Sequence, residues 1–142
     1  MADTKTIESL NRLLQGEYMA VESLNNFIFR VEDEKVKDCF QEVQKQHRDN
    51  IEKLAGYIQD MGGKPEENLG MKGKMSEMKL NMGLGDKVDT AEIVEKAIAG
   101  ETKGVNAAEK VLRGELDDQS RKIAGEILEQ DRKAIDKLRS LL

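Results

Sequence analysis

Apolar residues recur at alternating steps of three and four through four separate stretches of this 142-residue chain. That period puts them on one face of an α-helix and excludes the two-residue alternation of a strand. The first stretch, from about Thr4 to Val31, carries Ile7, Leu10, Leu14, Val21, Leu24, Ile28 and Val31. The second carries Val36, Phe40, Val43, Ile51, Leu54, Ile58 and Met61. Val94, Ile98, Val105, Ala108 and Leu112 mark the third, and Ile123, Ile127, Ala134, Ile135, Leu138 and Leu141 the fourth. Each predicts a helix of roughly 25 to 28 residues, about 40 Å long at 1.5 Å per residue. Thr4 or Thr6 is the expected cap of the first helix, with Glu8 in its first turn.

The punctuation between the stretches sets the topology. Glu32-Asp33-Glu34 and Gly114-Glu115-Leu116-Asp117-Asp118 are short polar turns, and turns that short make their flanking helices antiparallel neighbours. Gly62-Gly63 and Pro65 stop the second helix, because glycine accepts a left-handed cap and proline cannot continue the ladder. The expectation is one all-α domain, a four-helix bundle of helix pair 4–62, crossover 63–88 and helix pair 89–142. Met71, Met75, Met78 and Met82 step by four, three and four, which predicts a short amphipathic helix inside the crossover, its methionines covering the bundle.

Composition narrows the function. A net charge of −5 and the lack of a basic stripe argue against nucleic acid as a partner. No stretch has transmembrane length, and the polar start Met1-Ala-Asp-Thr-Lys-Thr has no signal-peptide core, so no membrane partner and a cytoplasmic location are expected. Cys39 is the single cysteine, which excludes an internal disulfide and a cysteine-rich zinc site; it reads as a small core hydrophobe.

Shifting the chain by 84 residues lays the first helix pair on the second without a gap, with 12 identities in the 49 positions from 6 to 54. Gly16-Glu17 meets Gly100-Glu101, Asp33 meets Asp117, Glu42 meets Glu126, and Lys53-Leu54 meets Lys137-Leu138. The pattern reads as an internal duplication of one hairpin. A glycine inside a helix costs about 1 kcal/mol relative to alanine, so the two Gly-Glu pairs raise the expectation of a close helix approach there.

Four polar residues interrupt the apolar stripes: Glu17, His47, Glu101 and Asp131. Glu17 and His47 lie 15 residues either side of position 32, and Glu101 and Asp131 lie 15 either side of position 116. All four therefore fall on one level of the bundle, facing its core. Three carboxylates cannot all stay ionised in a dry core without compensation. One iron, manganese or zinc ion would supply it, and Glu, Asp and neutral His are suitable ligands. The alternative is a metal-free layer satisfied by Gln44, Gln46, Gln130 and water. Tyr18 adjoins Glu17 and reads either as a neighbour of such a site or as packing between helices.

These features resemble the ferritin-like superfamily, the rubrerythrin and bacterioferritin type of bundle, over nearly the whole chain. Within it, Gly-Glu in the first helix and Gly62-Gly63-Lys64-Pro65-Glu66 at the start of the crossover resemble a family of small, uncharacterised bacterial ferritin-like bundles. The resemblance implies a Glu on the first and third helices and Glu-x-x-His on the second and fourth. Glu17 and Glu101 match the lone glutamates. Gln44-x-x-His47 has Gln in place of the bridging Glu, and Leu128-x-x-Asp131 has no carboxylate at that position. Loss of both bridges argues against ferroxidase or peroxidase chemistry. What remains is a degenerate site for a single transition metal in a metal-handling or stress role, or a metal-free structural or protein-interaction bundle. The resemblance also implies a homodimer.

Overall fold

The computed structural model of the chain describes residues 4–67 and 89–142. Four helices account for nearly all of them: α1 (Thr4–Arg30), α2 (Glu34–Asp60), α3 (Thr90–Arg113) and α4 (Asp118–Arg139). There is no strand among the described residues. The methionine stripe Met71, Met75, Met78 and Met82 lies outside the described residues.

Helix starts are set by aspartates. Asp33, Asp89 and Asp117 cap α2, α3 and α4, each side chain accepting a hydrogen bond from the backbone N–H three residues on. The start of α1 differs from the expectation: its first turn holds no acidic residue, and Thr6 is a buried helical residue instead of a cap. Glu8 falls one position beyond that turn, where the dipole's pull is already weaker. At the other end of α2, Gly62 takes a φ of 86°. Its N–H donates to Gln59 O and that of Gly63 to Ile58 O, both at 2.9 Å, closing the helix in a Schellman motif. Gly63 has a separate requirement, since a Cβ there would lie 2.9 Å from Ile7 Cγ2. Beyond it, the Asn11 side chain donates to Lys64 O and accepts from the backbone N–H of Glu66, tying the departing chain to α1.

Two apolar clusters fill the bundle. One joins Leu24, Phe27 and Val31 at the end of α1 with Val36 and Phe40 at the start of α2, Ile93 and Val94 at the start of α3, and Ala134 and Leu138 at the end of α4. The other joins the opposite ends: Leu10 and Leu14, Leu54 and Ile58, Val105 and Ala108, Ala124 and Ile127. The starts of α2 and α3 therefore lie at the same end, so the helices run up, down, down, up, as the long crossover requires.

Gly16 and Gly100 do not mark a close helix approach. A Cβ built on either meets nothing within 4 Å. Gly100 is exposed and Gly16 half-buried with open space beyond it, which corrects the sequence expectation.

Candidate metal centre

The seam between the two apolar clusters is polar. Glu17 on α1, His47 and Asn50 on α2, Glu101 on α3 and Asp131 on α4 meet there at mid-bundle. Their fractional exposures are 4, 1, 3, 7 and 5% in that order. Each comes from the middle of a regular helix, so backbone hydrogen bonding and the flanking Leu, Val and Ile layers hold it in place.

His47 organises the layer. Its Nδ1 lies 3.1 Å from Glu17 Oε2 and 3.5 Å from Asp131 Oδ1, while its Nε2 lies 2.8 Å from Glu101 Oε1. The ring thus separates the four expected residues into two sides. Glu17 and Asp131 share one nitrogen, and Glu101 takes the other. Asn50 completes the first side by donating from Nδ2 to Glu17 Oε1 at 2.5 Å and to Asp131 Oδ1 at 3.4 Å.

Burial is the largest single influence on His47 and pushes its pKa down. The charges of Glu101 and Glu17 and their hydrogen bonds together overcome it, holding the pKa well above the ordinary 6.5. The metal-free ring is an imidazolium that donates from both nitrogens. Asp131 goes the other way from most carboxyls. Burial first, then the charge of Glu17, push it up to about 9 against the opposing pull of His47. It is neutral at pH 7 and shares a hydrogen bond with Glu17. The layer thus relieves its crowding of carboxylates by one charged histidine and one retained proton.

Of the polar neighbours expected around the layer, Gln46 reaches it indirectly, donating to Asn50 Oδ1 at 3.2 Å. Gln44 is buried but points elsewhere, to Val21 O at 2.9 Å and Asn25 Oδ1 at 2.7 Å. Gln130 is half-buried and makes no hydrogen bond to the layer among the described residues. Tyr18 packs half-buried against the second apolar cluster. Asn50 was not expected from the sequence. Its signal is a polar residue three positions after His47, which shares that residue's helix face.

As a donor set, one oxygen each from Glu17 and Asp131 and a ring nitrogen of His47 lie within 4.8 Å of one another. Ligand atoms on one ion with bonds of about 2.1 Å stand roughly 3 to 4 Å apart, so a modest closure would suffice. Two carboxylates and an imidazole suit iron, manganese or zinc. Glu101 stands where it would accept the other ring N–H, the carboxylate–histidine arrangement that orients metal-bound imidazoles. For a second ion the fit fails, because Gln44 turns away and Leu128 is an apolar core residue.

A four-helix bundle in this up-down-down-up order has the ferritin-like fold. The chain belongs to the DUF2383 family, described as "Domain of unknown function (DUF2383)", whose pattern matches residues 5–114. Solved structures share the fold. A two-domain protein with DJ-1/ThiJ/PfpI-like and ferritin-like domains from Anabaena variabilis superposes with a TM-score of 0.79 at 21% identity, over 99% of this chain and 36% of that one. The chain thus spans about a third of that protein. A dodecameric thioferritin, the bacterioferritin-related protein of Bacteroides fragilis, gives 0.74 at 17% identity over 99% and 85% of the two chains. A conserved hypothetical protein from Mycobacterium tuberculosis gives 0.73 at 16% identity, over 99% and 100%. At these identities the likeness is one of fold. No curated protein matches the chain by sequence. No helix among the described residues is long and apolar enough to cross a membrane.

Proposed function

We propose that this protein holds one divalent transition metal ion, iron, manganese or zinc, between Glu17, His47 Nδ1 and Asp131, in a metal-handling or stress role. The observation that carries this reading is the buried trio of donor atoms within 4.8 Å of one another. Glu101 then orients the ring, and Asn50 fixes the Glu17 carboxylate. The missing bridging carboxylates separate this centre from two-ion oxygen chemistry.

A metal-free structural or interaction bundle is the second reading, and one observation favours it. His47 and its carboxylates already satisfy one another by hydrogen bonds, with Asp131 neutral. Elemental analysis of protein purified from metal-supplemented cells decides between the two. One equivalent, lost in Glu17→Ala, supports the metal centre. Background content in both proteins supports the metal-free bundle, and two equivalents would overturn the single-ion assignment.

The same reading treats the two helix pairs as copies of one ancestral hairpin. The offset of 84 residues equates Lys53 with Lys137 and Glu42 with Glu126. The ion pairs run Lys53–Glu126 and Lys137–Glu42, as a two-fold axis between α2 and α4 requires. The caps of Asp33 on Val36 N and Asp117 on Ser120 N repeat at the same offset. Divergence after duplication then left His47 opposite Asp131, giving the layer one basic member.

A further inference from the structure

A cavity of about 350 Å³ opens between α1 and α3, and its inner wall includes Glu17 and Asp131. It exists because small residues face each other across that helix pair: Gly16 on α1 and Gly104, Ala107 and Ala108 on α3. Cβ atoms added at Gly16 and Gly104 would meet nothing within 4 Å, so the space is not packed shut by neighbouring side chains. At about 30 Å³ per water, it has room for roughly ten waters or a small organic ion.

The charges around this cavity are segregated. Its acidic lining residues are the two buried carboxylates, and its basic ones are Arg12 on α1 and Lys110 on α3, both exposed. Neither Arg12 nor Lys110 forms an ion pair among the described residues. A guanidinium and an ammonium beside one opening suit an oxyanion, which guanidinium binds in a two-point fork. An anion alone would be repelled by Glu17. A cation between Glu17 and Asp131 takes the place of two protons and concentrates their charge at one point on the inner wall, and three protein donors leave a divalent ion with a position open to an outside ligand.

We propose that the α1–α3 cavity is a binding site for a small oxyanion, which enters past Arg12 and Lys110 and ligates the metal ion held by Glu17, His47 and Asp131. This rests on the single-ion reading above and adds its ligand class. The site is conditional by construction: the oxyanion binds the metal-loaded protein and is refused by the metal-free one. The open coordination position of the ion, which the metal-free layer lacks, is what makes the binding conditional.

The test uses the full chain loaded with cobalt(II), whose visible bands report changes in ligation, and inorganic phosphate as the probe. Phosphate is expected to shift the bands of the wild-type protein saturably. The double variant Arg12→Ala/Lys110→Ala should need at least tenfold more phosphate for the same shift. Gly104→Leu, which fills the cavity from a position with open space around it, should abolish the shift. Bound cobalt is measured in every sample, and circular dichroism checks that each variant is folded. Bound cobalt with no phosphate response, or a response unchanged in both variants, overturns the oxyanion site and leaves the metal centre standing. Absence of bound cobalt overturns the metal centre, and the oxyanion site falls with it.

Discussion

His47 and Asp131 both hold protons more tightly in the folded chain than in the unfolded one, and this gives the metal-free protein an unusual pH dependence. The His47 pKa is raised well above 6.5, so its contribution to stability is complete below about pH 6.5 and is lost as pH rises through the folded value. The Asp131 pKa rises from 3.8 to about 9, so its contribution declines across the window between those values. The two slopes have the same sign. Chelator-treated protein should melt at a lower temperature at pH 8.5 than at pH 5.5, with each retained proton contributing up to about 1.4 kcal/mol per pH unit. Asp131→Asn should flatten the part of the curve below pH 6.5, where the His47 contribution is complete and adds no slope. A melting temperature that rises with pH over this range would refute the assigned protonation states. Asn50 offers a second check: Asn50→Leu removes a donor from buried Glu17 and should cost about 1 to 3 kcal/mol in denaturant unfolding. Glu17, His47, Glu101 and Asp131 were legible in the sequence because a polar residue in an apolar stripe breaks a period. Asn50 was not, because Ile51 beside it kept that period intact. The division of the layer across the two ring nitrogens was also beyond the sequence, since periodicity fixes a residue's level and face and says nothing about side-chain rotation.

At the level of helices, the sequence fell short where the cause was not periodic. The four helices and both short turns were readable because a bundle helix must bury one stripe over its whole length. Leu13, Ile93 and Leu128 lay outside the stripes read from the sequence and are nonetheless buried, since helices with two neighbours and a diagonal partner cover a wider face than one seam. The Gly-Glu repeats were legible as a feature and misread as a cause. Because Gly16 and Gly100 have open space beyond their Cβ positions, alanine there should fit without displacing any neighbour. Gly16→Ala and Gly100→Ala should each stabilise the protein by about 0.5 to 1 kcal/mol, through helix propensity and a less flexible unfolded chain. Gly63→Ala should do the reverse, because its Cβ would collide with Ile7. Paired thermal melts of the three variants test whether space, and not glycine content as such, decides the sign.

Across the whole molecule, the polar layer divides one core into two apolar halves, so its charge state bears on all four helices at once. Without metal, the layer keeps a proton on each nitrogen of His47 and one on Asp131. An ion taken up between Glu17, His47 Nδ1 and Asp131 must displace the Nδ1 proton and the Asp131 proton, while the Nε2–H stays on Glu101. Binding of zinc near pH 7 should therefore release up to two protons, and affinity should rise with pH until both His47 and Asp131, the latter near pH 9, have lost them. Calorimetric titration in two buffers of different ionisation enthalpy counts those protons directly. The bound ion should also stabilise the whole bundle, by about 2.7 kcal/mol at a free concentration one hundred times the dissociation constant. Glu101→Ala leaves the three donor atoms in place and removes the acceptor that orients the ring, so it should weaken binding by roughly tenfold to a hundredfold. Glu17→Ala removes a donor and should abolish it. Equal losses in the two variants would mean that Glu101 is itself a ligand and that the ring turns on binding. No loss in either would remove the layer from metal chemistry altogether.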